Sequence, residues 1–285
     1  MSPDDLMAAS RTTLKSHGTR VADSESHAED FAPFAGNPNF LLSLARGLKV
    51  IEVFEGQTEG VSAAEVSRRT GLSRAAVRRV LLTLELLGYA ESEGRVYRLN
   101  SRVMRLGFSY LSSSSLATLA QPILEHVIEL VRESSSLGVL EGDEVVYVAR
   151  ATAKRVMSIG LSVGSRFPAY CTSMGRVLLS ALSEKELAGY LNRIQLKRLT
   201  PKTIVDKAKL TDLIARVRIA GFALNNEELE LGHRSIAVAV KDRRGRLVAG
   251  MNIGVHAARV SISEMKGRLL PILREHSRIL GQLLG

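Results

Sequence analysis

The 285 residues are 45% hydrophobic and 24% charged, enough for two globular domains, and the formal net charge of +10 favours a polyanionic partner such as nucleic acid or an acidic small molecule. No apolar run reaches the roughly 18 residues that span a bilayer, and no basic-then-apolar signal segment opens the chain, so a cytoplasmic protein without membrane contact is expected. The single cysteine, Cys171, excludes an internal disulfide framework and thiolate-based structural zinc, and the six histidines show no ligand spacing, so neither metal nor cofactor is expected.

Residues 1–37 mix Ser, Asp, Glu, His and Thr without apolar periodicity, which predicts a disordered tail. A helix follows in FLLSLARGLKVIEVFEG, with Leu41, Leu44, Leu48, Ile51, Val53 and Phe54 inward and Gly56 closing it. In SAAEVSRRTGLSRAAVRRVLLTLELLGYA two short amphipathic helices meet at Gly71. Ser62 and Glu65 have the spacing of a capping box for the first helix. Ser73 caps the second, along which Ala76, Val77, Val80, Leu81, Leu84 and Leu87 recur at helical spacing and leave Arg74, Arg78 and Arg79 outward. Small residues let such a helix approach the major groove while arginines reach guanine edges or phosphates, so the pair has the outline of a helix-turn-helix. Two short helices joined at a glycine also occur in ordinary helical domains. The next residues, ESEGRVYRL, favour DNA: they read as two strands turning at Glu93-Gly94, the wing of a winged helix.

Residues 101–111 space Val103, Leu106, Phe108 and Leu111 as a linking helix, before a polar run at 112–115. A helix over 119–133 has Pro122 near its start and Ile123, Val127, Leu130 and Val131 inward. Residues 136–149 form a hairpin about 141–144, and 157–161 a further strand. Helices are predicted from Cys171 or Thr172 to Leu182, over 184–191 behind a Ser183 cap, over 210–221 and over 263–284; strands at 235–240 and 247–255 pair through the turn at 242–245. Helices flanking an antiparallel sheet make an α+β domain, a shape shared by small-molecule sensors and enzymes. The expected division is a winged helix-turn-helix domain at 38–100, a linker helix at 101–115 and an effector domain at 116–285.

Three segments carry a resemblance: LARGLKVIEVF with the helix-turn-helix behind it; LSVGSRFPAYCTSMGRVLLSAL at 161–182; and NNEELELGHRSIAVAVKD at 225–242 with LVAGMNIGV at 247–255. Over residues 40–285 the chain resembles the IclR family of bacterial transcription regulators. LARGLKVIEVF, LEGDEVVYVAR and PAYCTSMGRVLL look like its branch regulating aromatic-acid breakdown by the β-ketoadipate pathway, the PcaR and PobR type. The resemblance implies an N-terminal winged helix-turn-helix, a linking helix that helps dimerise, and a C-terminal GAF-like effector domain. It also implies homodimers or tetramers on near-palindromic double-stranded promoter DNA, with RNA polymerase as a further partner. By position it implies an effector pocket at Ser173, Met174, Asn225, Ser235, Asn252 and Gly254. Asn225 replaces a frequent acidic residue, and Ser173-Met174 stands where relatives with very small effectors have Gly-Ala, so effector identity does not transfer from them.

On DNA the expected contacts are Ser62, Ser73, Arg74, Ala75, Arg78 and Arg79, with Arg95 and Arg98 on the wing and Arg68 and Arg69 toward backbone or solvent. For the effector, Tyr170, Cys171, Thr172, Ser173 and Met174 lead an extended segment into a helix, where hydroxyls and backbone N–H groups suit a carboxylate. Tyr170 and Met174 would face an aromatic ring, and Asn225, Ser235 and Asn252 offer neutral hydrogen bonds. The same run also fits an ordinary capped helix with a buried cysteine. The function expected is a ligand-responsive regulator of aromatic-acid catabolism answering to a small aromatic or dicarboxylic acid; the alternatives are another carboxylate pathway, a scaffold that only oligomerises, and an enzyme using Cys171 with His233 or His256. The enzyme is disfavoured because no GxSxG elbow, phosphate loop or HExxH helix is present.

Overall fold

The computed structural model describes residues 31–34, 36–107, 115–153 and 161–284. The chain divides after Gly107 into two compact units.

The N-terminal unit contains α1 (Leu42–Glu52), β1 (Val61–Ser62), α2 (Ala63–Thr70), α3 (Arg74–Leu86), β2 (Ala90–Glu93) and β3 (Val96–Leu99), with an antiparallel sheet in the order β1-β3-β2. Local signals set the helix ends: Ser62 Oγ accepts from the Glu65 N–H at 3.2 Å, Ser73 Oγ accepts from the Ala76 N–H at 3.2 Å, and Gly71 turns the chain at φ +68°. The capping box forms only in half. The Glu65 carboxylate turns outward to Arg68 and Arg69, because guanidinium groups at i+3 and i+4 bind a carboxylate more strongly than a neutral backbone amide does. The core gathers Val50, Phe54, Val61, Val66, Val77, Leu81, Leu84 and Ala90. On α1 the inward residue is Val50, whereas Leu41, Leu44 and Leu48 are exposed, as is Leu87 after α3.

Within the stretch read as tail, Phe34 stacks on Phe40 with ring centroids 4.7 Å apart, and Phe31 lies against the same ring. Residues 1–30 lie outside the described residues. After β3 the chain makes a 3-10 turn, Ser101–Val103, and a helical turn at 104–107; the rest of the expected linking helix, 108–114, is outside the described residues.

The C-terminal unit is an antiparallel six-stranded sheet with helices on both faces. Its elements are α4 (Ser115–Val131), β4 (Ser134–Glu141), β5 (Glu144–Ala151), β6 (Arg166–Pro168), α5 (Ser173–Leu179), α6 (Glu184–Arg193), α7 (Lys207–Ala220), β7 (Phe222–Asn226), β8 (His233–Lys241), β9 (Leu247–His256) and α8 (Leu270–Leu283). Strand order is β6-β5-β4-β9-β8-β7. On one face Leu137, Ile236, Met251 and Ile253 pack with Leu124, Val127, Leu273 and Leu280 of α4 and α8. On the other, Val145, Tyr147, Ala223 and Ala237 pack with Met174, Leu178, Leu210 and Ile214 of α5 and α7. The sheet therefore has a core on each side.

Several expectations change here. Helix α4 begins at Ser115, so Pro122 lies inside it rather than in its first turn, and Leu124 faces the core while Leu130 is 48% exposed. The helix after Pro168 is shorter than expected: a 3-10 turn at Ala169–Cys171 precedes α5, which ends at Leu179. Strands β6 and β7 were not anticipated, one having three residues and the other ending in two asparagines. The expected strand at 157–161 falls, except for Leu161, outside the described residues.

Candidate DNA-binding surface and effector cavity

Helix α3 turns Val77, Leu81 and Leu84 into the core, so Arg74, Ala75, Arg78 and Arg79 share its exposed side. Among the described residues no ion pair engages Arg74, Arg78, Arg79 or the exposed Arg95 of the β2–β3 turn. Other arginines are committed internally. Arg68 and Arg69 hold Glu65, whose pKa they draw down to about 2 chiefly through those hydrogen bonds, and Arg98 binds Glu93 at 2.7 Å. Ser62 and Ser73 spend their hydroxyl acceptors on the helix caps. A free exposed guanidinium exchanges water for phosphate without breaking a protein contact, which distinguishes the α3 and turn arginines from the tethered ones.

In the second unit, the stretch from Tyr170 to Met174 is buried and internally bonded. The Tyr170 hydroxyl donates to Lys197 O at 2.7 Å, Thr172 Oγ1 accepts from the Gly175 N–H at 3.0 Å, and Ser173 Oγ lies 2.8 Å from Ser235 Oγ. Met174 packs against Gly138 and Gly250, where a Cβ would come within 3.2 Å of it. Burial pushes the Cys171 thiol up to about 12, so it is protonated at neutral pH and no ready nucleophile. Asn225 donates through Nδ2 to Cys171 O and accepts the Glu228 N–H at 3.2 Å. Arg176, fully buried, closes this clasp: its two Nη atoms each donate to a Glu228 carboxylate oxygen at 2.6 Å, and its Nε to Tyr170 O at 2.9 Å.

Beside that clasp is a cavity of about 860 Å³ lined by Ser134, Tyr147, Arg150, His233, Asn252 and Gly254 among others. Register explains the convergence. Ser136 pairs with both Arg150 and Asn252, and Ser134 with Gly254, which puts these positions on one face of three adjacent strands. Arg150 Nη1 donates to Ser136 Oγ at 3.0 Å, while its buried Nε and the buried Asn252 Oδ1 have no hydrogen-bond partner among the described residues. No carboxylate pairs with Arg150 among the described residues. Desolvation lowers the Arg150 pKa and raises that of Tyr147, whose phenol lies beside Arg150 and Asn252. Burial, then Arg150 and His256, lowers His233 to about 4, so its ring is neutral at pH 7. An unspent guanidinium N–H, an unspent amide carbonyl and an aromatic wall together suit a carboxylate-bearing ligand.

Of the sequence-predicted effector residues, Asn252 and Gly254 line this cavity; Tyr170, Cys171, Thr172, Ser173, Met174, Asn225 and Ser235 lie in the buried clasp and its Ser173–Ser235 contact. Tyr147, Arg150 and His233 were missed. The signal was an arginine ending the β-rich run VVYVAR, but a register shift between Leu137 and Gly138 breaks the simple alternation that would have set its face.

Residues 43–94 match the family description IclR helix-turn-helix domain, and residues 108–281 that of the bacterial transcriptional regulator IclR C-terminal region. The chain belongs to the IclR family. This IclR-family protein is 47% identical over 262 residues to the Pca regulon regulatory protein of Pseudomonas putida, covering 91% of this chain and 90% of that one. A solved transcriptional regulator from Rhodococcus sp. RHA1 shares 43% identity and a TM-score of 0.76, over 86% of this chain and 98% of that one. An IclR homologue from Microbacterium hydrocarbonoxydans, solved in complex with 4-hydroxybenzoate, shares 27% identity and a TM-score of 0.72 over 85% of this chain and 98% of that one. The IclR helix-turn-helix match runs from α1 into β2, and the C-terminal match takes in every strand that lines the cavity. No helix among the described residues is long and apolar enough to cross a membrane.

Proposed function

We propose that this IclR-family regulator works in the cytoplasm as a homodimer or tetramer on promoter DNA and responds to a small carboxylic acid of aromatic catabolism, in or near the β-ketoadipate pathway. Residues 38–100 serve as a winged helix-turn-helix: α3 enters the major groove with Ser73, Arg74, Ala75, Arg78 and Arg79, supported by Ser62 at the start of α2, and the β2–β3 hairpin is the wing carrying Arg95 and Arg98. Residues 101–115 link this domain to a GAF-like effector domain at 116–285. Two recognition helices reading a two-fold site require at least a dimer, and RNA polymerase is a natural further contact. The likeness to a Pca regulon regulator and to a homologue holding 4-hydroxybenzoate supports the aromatic-acid class.

One observation carries the effector reading: Arg150 and Asn252 line the same cavity of about 860 Å³, and among the described residues Arg150 has no carboxylate partner and its Nε and the Asn252 Oδ1 no hydrogen-bond partner. A carboxylate placed there completes the guanidinium's hydrogen bonding, and a para-hydroxyl or ring oxygen then finds neutral partners along the sheet. Calorimetry with 4-hydroxybenzoate tests it. Arg150→Gln is expected to weaken binding at least tenfold, since a hydrogen bond to a charged group contributes about 1.5–3 kcal/mol; unchanged affinity moves the anchor elsewhere.

A further inference from the structure

His233 opens β8 and pairs across the ladder with His256 of β9, so two imidazoles are neighbours at the cavity wall. They are not equivalent. His256 is exposed, and its Nδ1 accepts the Ala258 N–H at 3.2 Å, which assigns its single neutral-state proton to Nε2 and ties the ring to its own turn. The His233 ring is largely buried and makes no hydrogen bond among the described residues. It rests against Gly254, where a Cβ would come within 3.1 Å of its Cε1, so a glycine at that position makes room for the ring.

Among the described residues no carboxylate is bonded to that ring. From β5 come Arg150 and the Tyr147 phenol, and from β9 comes His256. At the end of α4 and the turn after β9, Glu133 and Arg259 bind each other at 3.1 Å. In the turn before β8, Glu230 is exposed, while Glu227 is held by Lys202, Arg234 and the Gly232 N–H. Among the described residues the wall thus carries Arg150, an Arg259 tied to Glu133, and two imidazoles of which only His233 is largely buried, with no carboxylate bonded to Arg150 or to the His233 ring.

We propose, building on the effector reading above, that the cavity takes a dicarboxylic acid, one carboxylate on Arg150 and the other on His233, and that His233 takes up a proton from solvent as the second carboxylate arrives. Burial first, then the neighbouring Arg150 and His256, hold the ring neutral, with a pKa of about 4. An anion against Nε2 or Nδ1 favours the charged form and reverses that balance. Because the proton enters on binding, affinity for the dicarboxylate falls as pH rises from the ring's pKa of about 4 toward its higher pKa in the complex, by up to tenfold per pH unit, and levels off above that. A monocarboxylate resting on Arg150 draws no proton and binds with little pH dependence around neutrality. His233 is thereby the residue that separates two-anion from one-anion effectors.

Calorimetric titration of the full chain with adipate and with benzoate, at pH 7 in two buffers of different ionisation enthalpy, reads the proton count directly. The expected result is about one proton taken up per adipate and near zero per benzoate. His233→Gln removes the uptake and weakens adipate at least tenfold while benzoate stays within about threefold, and His256→Gln leaves the uptake in place. Adipate binding without proton uptake, benzoate binding where adipate does not, uptake lost in His256→Gln, or equal weakening of both acids by His233→Gln overturns the proposal. The uptake in the unsubstituted protein is independent of how well either variant folds. Binding of neither acid strikes instead at the cavity as the effector site, a different failure from the loss of the proton alone.

Discussion

Arg176 and Glu228 show how one residue pair constrains a site it does not enter. The pair is buried and bidentate, and it joins α5 to the loop just after β7, the strand that carries Asn225 and its bond to Cys171 O. Replacing only Glu228 leaves an uncompensated guanidinium in the interior, so Glu228→Gln is expected to lower unfolding free energy by about 3–5 kcal/mol. The double change Arg176→Met with Glu228→Leu should lose much less, because the desolvation of both charges disappears with the pair. Urea unfolding of the two variants checks the contrast. In the sequence Arg176 reads as one more basic residue on a helix, and Glu228 as part of an acidic run; nothing local says that they are inside. The same holds for Arg150 and His233, whose meaning depends on neighbours contributed by other strands.

At the scale of elements, caps and turns were the legible features. Ser62, Ser73, Ser183 and Gly221 all stop or start helices where their side chains or φ values require it. Which face a helix buries was less legible, as α1 shows with its leucines outward and Val50 inward. Two helical glycines separate local propensity from tertiary fit. On α5 a Cβ at Gly175 would lie 2.1 Å from Ala169 O, whereas on α6 a Cβ at Gly189 meets nothing within 4 Å. Gly175→Ala is therefore expected to destabilise by about 1–3 kcal/mol or more, through forced displacement of the 3-10 turn. Gly189→Ala is expected to stabilise by about 0.5–1 kcal/mol, since alanine restricts the unfolded chain and fills open space. Denaturant melts of both variants report opposite signs if close backbone approach, and not helix propensity, governs α5.

For the molecule as a whole, the net charge of +10 becomes informative once tethered and free arginines are distinguished. Arg68, Arg69 and Arg98 are bonded within the N-terminal unit, leaving Arg74, Arg78, Arg79 and Arg95 for a polyanion. Arg95, on the turn, is assigned to phosphate, so Arg95→Ala should flatten the dependence of log affinity on log salt by about 0.9 per protomer and leave the ratio of promoter to random DNA affinity unchanged. Arg78, on the exposed side of α3, is assigned to base edges, and its replacement by Ala should reduce that ratio by roughly 1–3 kcal/mol. Fluorescence anisotropy on both DNAs across a salt series measures both quantities. A loss of discrimination in Arg95→Ala with no change in slope would exchange the two roles.

Local chemistry alone determined the helix-turn-helix outline, the hairpins around residues 94 and 142, the paired strands β8 and β9 and the long closing helix. Each depends on interactions only a few residues apart: hydroxyl caps, left-handed glycines and periodic apolar side chains. Tertiary structure decided the location of the cavity and the groups left unspent inside it. Arg150, His233 and Asn252 meet there because β5, β4, β9 and β8 are neighbours in one sheet, with a register shift in β4 that no short-range pattern announces. The Thr172–Ser173 cradle was legible as a chemical type, but its polar atoms are used within the fold, because Ser235 and Gly175 reach them first. A side chain's capacity to bind is a local property; whether that capacity remains free depends on which distant groups the fold brings against it.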